Sequence, residues 1–286
     1  MILPSQPVKK TSKTVAIDSR LRRIDGRHNA LVKELRKAFS HGEPTPEGYT
    51  AIEGIRILEE ALRSGLRFQT VFFSNSGTAK AERLLPQIAA HVETLLLPDK
   101  LFASAVPSET PQGVAALVRV KEFSLVDVVS KAEAGPLVLM AGLQDPGNLG
   151  TILRSAEAFG VGGVILGEGT VHYLNPKVVR ASAGAVFRLP ITHCKLSEAI
   201  PAMRQKQIRS IATSSHKGTA LPEANLQGPL AIFIGSEGAG IPRDLTPEMD
   251  DFIAIPHSPQ VESLNAGVAA SIVLYEAAKQ KKVSKY

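Results

Sequence analysis

The chain has 286 residues, of which 44% are apolar, and a mean hydropathy of +0.04, values typical of a globular protein with two ordinary domains. It has no run of about 18 uncharged apolar residues and no basic-then-apolar leader, so no membrane partner is expected and a cytoplasmic location is predicted. The single cysteine, Cys194, excludes an internal disulfide and a multi-cysteine zinc site, and the histidine spacing predicts no metal centre.

The formal charge of +6 is concentrated at the two ends of the chain. Residues 1–40 carry ten Lys or Arg against three Asp or Glu, and residues 277–286 carry four Lys and no acid. The stretch between them has 19 basic and 24 acidic residues, which is a net charge of −5. Basic segments such as Arg20–Arg23 suit contact with RNA phosphates, although a solvated tail has the same composition.

In chain order, residues 1–26 are polar and basic without periodicity, which predicts a flexible arm. Residues 27–120 then alternate between helical and strand patterns and predict a small α/β domain. Its predicted helices cover about 29–39, 55–65 and 79–90, and its strands cover about 49–52, 70–73, 92–97 and 114–118. Residues 121–136 are predicted to form a linker with a helix over 121–133.

The predicted second domain covers residues 137–286. Strand patterns at 137–142, 162–166, 208–213, 230–234 and 252–255 alternate with helical patterns at 149–159, 176–184, 196–205 and 265–280. Continuous apolar strands such as Leu137–Ala141 imply burial on both faces, which predicts a mostly parallel sheet covered by helices.

The first segment with chemical content is Asp145–Arg154, in which a turn at Pro146 leads from a strand into a helix. Arg154 lies off the apolar stripe of that helix, and helical side chains lean toward the N-terminus, in the direction of Asn148. The free N–H groups of the helix start and the guanidinium together predict an anion site suited to an RNA phosphate. Taken alone, Arg154 also fits a solvated surface residue.

The second segment is the glycine-rich turn Gly235–Gly240, which follows a buried strand. Glycines permit positive φ and a close approach of the backbone to a ligand. The spacing matches neither GxGxxG nor GxxxxGK[ST], which argues against a dinucleotide site and a phosphate loop. Glu237 is the chemically informative residue of the turn, although a carboxylate here also fits a capping role.

The third segment consists of Ile255-Pro256, a loop, and Ser263-Leu264-Asn265 before a helix. Ser263 is suited to be the N-cap of that helix. The small residues over 266–271 predict that the helix packs very closely against other backbone.

Together these segments resemble the motifs of the SpoU (TrmH) family of SPOUT RNA 2′-O-ribose methyltransferases, over residues 137–280. The resemblance implies a parallel sheet with a deep trefoil knot, S-adenosylmethionine as cofactor and methyl transfer to a ribose 2′-hydroxyl. His257 departs from the family pattern, in which Met commonly follows Ile-Pro. By position, the resemblance assigns cofactor binding to Thr213, Gly235, Ile255 and Leu264, and catalysis to Asn148, Arg154, Glu237, Ser263 and Asn265.

The N-terminal domain resembles the L30e-like RNA-binding domain often fused to this family, over Tyr49–Ala61 and Glu109–Gly113. The two resemblances imply a homodimer that acts on structured RNA, with ribosomal RNA favoured and tRNA as the alternative. The apolar residues Ile272, Val273 and Leu274 are predicted to offer surface for its interface. A non-catalytic RNA-binding ribosome assembly factor and a nucleotide-phosphate enzyme are the rival classes. Whether the role is housekeeping or antibiotic resistance, and which group accepts the proton, stay open.

Overall fold

The computed structural model describes residues 20–41, 44–215, 217–236, 238 and 240–281. These residues belong to two compact units, one within Met1–Val120 and one within Lys121–Tyr286. In the described ranges, no helix is both long enough and apolar enough to cross a membrane.

The first unit is a mixed sheet with short helices. Its strands are β1 (Arg22–Arg23), β2 (Thr50–Glu53), β3 (Arg67–Ser74), β4 (Glu93–Leu97) and β5 (Val114–Arg119). Its helices are α1 (Ala30–His41), α2 (Ile55–Arg63), α3 (Thr78–Leu84) and α4 (Asp99–Ala103). The strand order is β1-β4-β3-β5-β2, and β5 runs antiparallel to both of its neighbours. The predicted helix and strand patterns correspond to these elements, except that the helix predicted over 79–90 ends at Leu84 and that β1 and α4 were not predicted.

The flexible arm predicted over residues 1–26 is wrong at its C-terminal end, and its residues 1–19 lie outside the described part. Arg22–Arg23 pairs in parallel with β4, and the first of these arginines forms an ion pair with Glu93. The guanidinium of Arg20 donates a hydrogen bond to the carbonyl oxygen of Leu85 at 2.7 Å. Arg20 and Arg22 are thus both used in contacts within the fold. The ion pair partly neutralises the charge of Arg22 before any RNA binds.

The two segments that carry the N-terminal resemblance are bonded to each other. The buried carboxylate of Glu53 accepts a hydrogen bond from Ser108 Oγ at 2.5 Å and one from the backbone N–H of Gln112 at 3.2 Å. Nearby, a Cβ atom at Gly77 would lie 2.2 Å from the carbonyl oxygen of Gly113. The absence of a side chain at Gly77 is therefore required for these two loops to meet.

The second unit is one parallel sheet of seven strands with helices between them. The strands are β6 (Leu137–Ala141), β7 (Gly163–Leu166), β8 (Ile191–His193), β9 (Arg209–Ser214), β10 (Thr219–Ala220), β11 (Leu230–Gly235) and β12 (Asp251–Ala254). The helices are α5 (Leu125–Val129), α6 (Pro146–Ala158), α7 (Pro176–Ala181), α8 (Leu196–Gln205) and α9 (Ala266–Gln280). The strand order is β10-β12-β9-β11-β6-β7-β8, which confirms the predicted α/β class and parallel sheet. The knot stays a prediction.

The order of the strands identifies one edge of this sheet as the place for a site. The chain builds from β6 to β7 and β8 on one side, then crosses over and places β11 on the other side of β6. Ligands of open parallel sheets bind beyond the carboxyl ends of the strands, where the order reverses direction. Since Gly235 pairs with Ala141, the turns that follow β11 and β6 are neighbours at this edge.

The predicted linker over 121–136 differs from the structure. Its helix is limited to α5, which begins with a capping box between Ser124 and Asp127. Val128 is fully buried and belongs to the apolar core of the second unit. This segment therefore covers the sheet instead of spanning two domains.

We expect Gly77→Ala to destabilise the protein by about 1–3 kcal/mol, because the new methyl group would overlap backbone that cannot move away freely. Gly26→Ala is the matched control in the same unit, since a Cβ atom there meets nothing within 4 Å. Denaturant unfolding of both variants measures the difference. Equal stability of the two variants would contradict the close approach at Gly77.

Candidate functional site

A cleft of about 970 Å³ lies beside three adjacent strands, β12, β9 and β11. Its lining contains every residue that the resemblance assigns to cofactor binding, and one that it assigns to catalysis. These are Thr213, Gly235, Ile255, Leu264 and Ser263. Residues from three separate segments of the sequence therefore meet in one cavity.

The glycine-rich turn closes one side of the cleft. Ser236 and Gly240 form an isolated antiparallel bridge. The backbone N–H of Ser236 donates to the carbonyl oxygen of Gly240 with an N···O distance of 3.2 Å, and the N–H of Gly240 donates to that of Ser236 at 2.9 Å. A Cβ atom at Gly235 would lie only 2.2 Å from the carbonyl carbon of Gly240, so this turn closes tightly only with glycine at its first position. The predicted catalytic residue Glu237 lies outside the described residues.

Strand β9 and the segment after it also line the cleft. Thr213 Oγ1 donates a hydrogen bond to the carbonyl oxygen of Phe233 at 3.0 Å, which orients this side chain between two strands. Further along, Gly218 has φ +103°, and a Cβ atom there would lie 2.1 Å from the carbonyl oxygen of Phe252. The loop can run this close to β12 only because Gly218 has no side chain.

The loop between β12 and α9 supplies Ile255, Ser263 and Leu264 to the cleft. His257, which departs from the family pattern, also lines it, and its Nδ1 lies 2.7 Å from the carbonyl oxygen of Ile255. A carbonyl oxygen only accepts, so Nδ1 carries the hydrogen in this bond. His257 thereby stabilises the turn at the start of the loop.

Asn265 connects the third segment to the first. Its Oδ1 accepts from the backbone N–H of Val268 at 3.1 Å, and its Nδ2 donates to Oδ1 of Asn148 at 2.9 Å. The N-cap of α9 is thus Asn265, and the prediction that Ser263 has this role is wrong. Two of the predicted catalytic residues, 117 positions apart in sequence, are directly hydrogen bonded.

Helices α6 and α9 pack closely, as the small residues over 266–271 predicted. The hydroxyl oxygens of Ser155 and Ser271 lie 2.7 Å apart. A Cβ atom at Gly267 would lie 3.3 Å from both Asn148 Oδ1 and Thr151 Cβ. Small side chains therefore let the two helices approach each other beside the Asn148–Asn265 bond.

Arg154 lies apart from the cleft. Helix α6 begins at Pro146, three residues earlier than predicted, so Arg154 is in its third turn and not near its start. The carboxylate of Asp145 caps that start by accepting from the N–H of Asn148 at 2.7 Å, so one of the N–H groups predicted to bind an anion there is already used. Arg154 is exposed and makes no hydrogen bond or ion pair with the residues that the structure describes.

The chain matches known methyltransferases over both units. A model of the SpoU rRNA methylase family matches residues 136–275, and a model of the MRM3-like substrate-binding domain matches residues 29–116. An uncharacterised tRNA/rRNA methyltransferase from Synechocystis is 34% identical over 263 residues, which cover 90% of this chain and 94% of that protein. The chain belongs to the SpoU family.

Two further relatives of this SpoU protein have more specific descriptions. The 23S rRNA (guanosine(2553)-2′-O)-methyltransferase RlmP of Bacillus subtilis is 29% identical over 255 residues, which cover 89% of this chain and 98% of RlmP. The crystal structure of an AdoMet-bound rRNA methyltransferase from Sinorhizobium meliloti has a TM-score of 0.79 and 26% identity, and covers 91% and 98% of the two chains. As a SpoU member, the protein is an S-adenosylmethionine-dependent RNA methyltransferase.

The cleft of the SpoU protein is chemically suited to S-adenosylmethionine, a cofactor with a flat aromatic base and a charged amino-acid end. Its volume is at the upper end of the range of about 300–1,000 Å³ for small-molecule sites. Apolar side chains such as Ile255 and Leu264 share the cleft with polar ones such as Thr213 and Asp250. The described residues include no cluster of three groups able to hold a metal ion.

Several lining residues of this SpoU cleft were not predicted from the sequence. Lys217, Asp250 and His257 face the cavity, and the carboxylate of Asp250 accepts from the backbone N–H of Ser210 at 2.7 Å. They lie outside the three motif cores, and no spacing in the sequence relates them. Only the pairing of β12 with β9 and β10 brings them to the cleft.

We expect Gly235→Ala to weaken the binding of S-adenosylmethionine about tenfold or more, because relieving an overlap with Gly240 costs about 1–3 kcal/mol and shifts the turn. Isothermal titration measures the dissociation constant. Gly238→Ala is the control in the same turn, since its methyl group would meet nothing within 4 Å. Wild-type affinity in the Gly235 variant would show that the turn tolerates a side chain.

Proposed function

We propose that this SpoU protein transfers the methyl group of S-adenosylmethionine to a ribose 2′-hydroxyl of ribosomal RNA. The main support is the meeting of the three motif segments at one edge of the sheet. The cleft contains Gly235, Ile255 and Leu264, and the Asn148–Asn265 bond links the two segments that adjoin it. The similarity to RlmP, which is described as a 2′-O-methyltransferase of 23S rRNA, supports the same reaction and substrate.

The proposed catalytic residues have two tasks, which are to orient the ribose and to stabilise the developing charge. When bound, S-adenosylmethionine supplies a sulfonium methyl group, which is already electrophilic. The task left to the protein is to orient the 2′-oxygen and stabilise the negative charge that develops on it. Ser263, in the cleft lining, and Asn265 with Asn148 are the polar groups placed to orient the ribose.

Arg154 is proposed to bind the phosphate next to the target ribose and stabilise the developing oxyanion. A guanidinium carries five donors and is not deprotonated in proteins, so it suits charge stabilisation and not proton removal. Its exposure and its lack of partners among the described residues leave these donors available. The carboxylate of Asp145 disfavours a phosphate at the start of α6, and Arg154 is the only basic residue of that helix.

The first unit is proposed to bind the RNA substrate. The matching family model is described as a substrate-binding domain. On helix α1, Lys33 and Lys37 are exposed one turn apart and offer two positive charges on one face. A tRNA substrate is the alternative, because the Synechocystis relative is described as acting on tRNA or rRNA.

We expect Arg154→Ala to lower methyl transfer by about 10²–10³-fold, which is typical for loss of one oxyanion-stabilising donor, while the affinity for S-adenosylmethionine stays unchanged. Arg154→Lys keeps the charge but loses the fork of donors and should recover part of the activity. The assay maps 2′-O-methyl sites in ribosomal RNA and tRNA from a strain lacking the gene, after incubation with each protein.

Each outcome of this mapping has a definite meaning. New 2′-O-methyl sites in ribosomal RNA support the proposal, and sites in tRNA alone support the alternative substrate. Methyl groups on bases would overturn the ribose assignment. Full activity of Arg154→Ala would overturn the role of Arg154, and binding of RNA without any methylation would support an assembly factor.

A homodimer is proposed to complete the site. Val268, Ile272 and Tyr275 form an exposed stripe along α9, at 48%, 37% and 55% exposure. Of the apolar residues predicted for this interface, Ile272 is exposed, but Val273 and Leu274 are in the core. An exposed apolar stripe of this kind is typical of a protein interface. The stripe of Val268, Ile272 and Tyr275 lies on α9. This helix contacts α6, and α6 carries Arg154.

We expect Ile272→Glu to convert a dimer into a monomer of 30.5 kDa, because a charge in a buried apolar interface is strongly unfavourable. Sedimentation equilibrium at micromolar concentration measures the mass. Val126→Glu is the control, since Val126 is 75% exposed on a different helix of the same unit. A wild-type monomer with full activity would refute the dimer.

A further inference from the structure

Three rings form a stacked cluster at the carboxyl edge of the second unit, outside the cleft. His172 and Tyr173 lie in the loop after β7, and His193 is the last residue of β8. The rings of His172 and His193 are nearly parallel, with centroids 5.0 Å apart and an interplanar angle of 6°. Tyr173 stacks on His172 at 4.8 Å and lies 5.8 Å from His193.

The cluster is held firmly by its loop. The backbone N–H of Leu174 donates to Nδ1 of His172 at 3.2 Å, which fixes the orientation of that ring. The N–H of Val171 donates to the carbonyl oxygen of Leu143 at 2.8 Å, in the turn that leads to Asn148. The loop that carries the cluster is therefore tied to the first motif.

One side of the cluster faces solvent. Tyr173 is buried, His172 is half-buried and His193 is exposed. Although His193 is exposed as a residue, its ring is partly covered by the other two, and this burial together with His172 lowers the pKa of His193 to about 4. Near neutral pH the exposed ring is thus uncharged, which suits stacking against a base more than ion pairing with a phosphate.

The location of the cluster relates it to the cleft. The carboxyl ends of β11, β6, β7 and β8 follow one another along the same edge. Three strand spacings separate the end of β11 from the end of β8, a distance of ~14 Å. The turn with Asn148 lies between them, so a strand of RNA that enters the cleft and crosses this turn reaches His193.

We propose that His193, supported by His172 and Tyr173, stacks against an unpaired base of the RNA a short distance from the methylated nucleotide. The inference rests on the proposed function. Lys177 and Lys195 are exposed and follow Tyr173 and His193 closely in sequence. Their amines suit contact with the phosphates next to the stacked base. His193 would be a positioning residue that holds the strand in register without contacting the reacting atoms.

The test compares His193→Ala with His193→Phe. Methyl transfer to ribosomal RNA from a strain lacking the gene gives KM for RNA and kcat, and filter binding gives the RNA dissociation constant. The alanine variant should raise both KM and the dissociation constant about tenfold, within the range for loss of one stacked base. The phenylalanine variant keeps a flat ring and should remain close to wild type, and kcat and cofactor affinity should not change in either.

Gln205→Ala is the matched control, since Gln205 is exposed at the far end of α8, away from the carboxyl edge. Unchanged RNA affinity in His193→Ala, or an equal loss in the phenylalanine variant, would overturn the stacking role. If the wild type methylates bases instead of ribose, the proposed function fails, but the RNA affinities still decide the role of His193. If the wild type binds no ribosomal RNA, both proposals fail.

Discussion

One side-chain amide joins the parts of the second unit on which the candidate site depends. Asn265 caps α9 through Val268 and at the same time donates to Asn148 at the start of α6. An N-cap contributes about 1 kcal/mol, but here it also fixes the register of one helix against another. A Cβ atom at Gly267 would make a tight contact of 3.3 Å with Asn148 Oδ1, so glycine suits the close approach at this bond. The loop that precedes Asn265, which includes Ser263 and Leu264, is thereby held beside the cleft.

The shape of the cleft is determined by backbone more than by side chains. Gly235 and Gly218 stand where a Cβ atom would overlap another backbone segment, and both adjoin strands of the sheet. These two positions therefore help to shape the cleft through the absence of a side chain. This explains how the loop accommodates His257 in place of the usual residue, since its ring bonds to the carbonyl oxygen of Ile255 within the same loop.

Periodicity predicted both sheets because most strands are continuous apolar runs and most helices carry a clear apolar stripe. It missed β1, β8 and β10, since two or three residues are too few to show alternation. It placed the start of α6 too late, although Asp145 before Pro146 is a strong N-cap signal that the sequence contains. The choice between Ser263 and Asn265 as N-cap needed the structure, because both side chains can cap and only tertiary packing sets the register.

Of the four predicted catalytic residues that the structure describes, Arg154 lies apart from the other three. Ser263 lines the cleft and Asn148 bonds to Asn265, whereas Arg154 does not contact these groups in the described residues. Its neighbour Ser155 meets Ser271, which precedes the exposed Ile272 on α9. A second chain that covers this stripe would therefore also approach Arg154. In the proposed dimer, the same pair of helices, α6 and α9, would provide both the apolar contact and the position of the guanidinium, so association of two chains would complete the charge stabilisation.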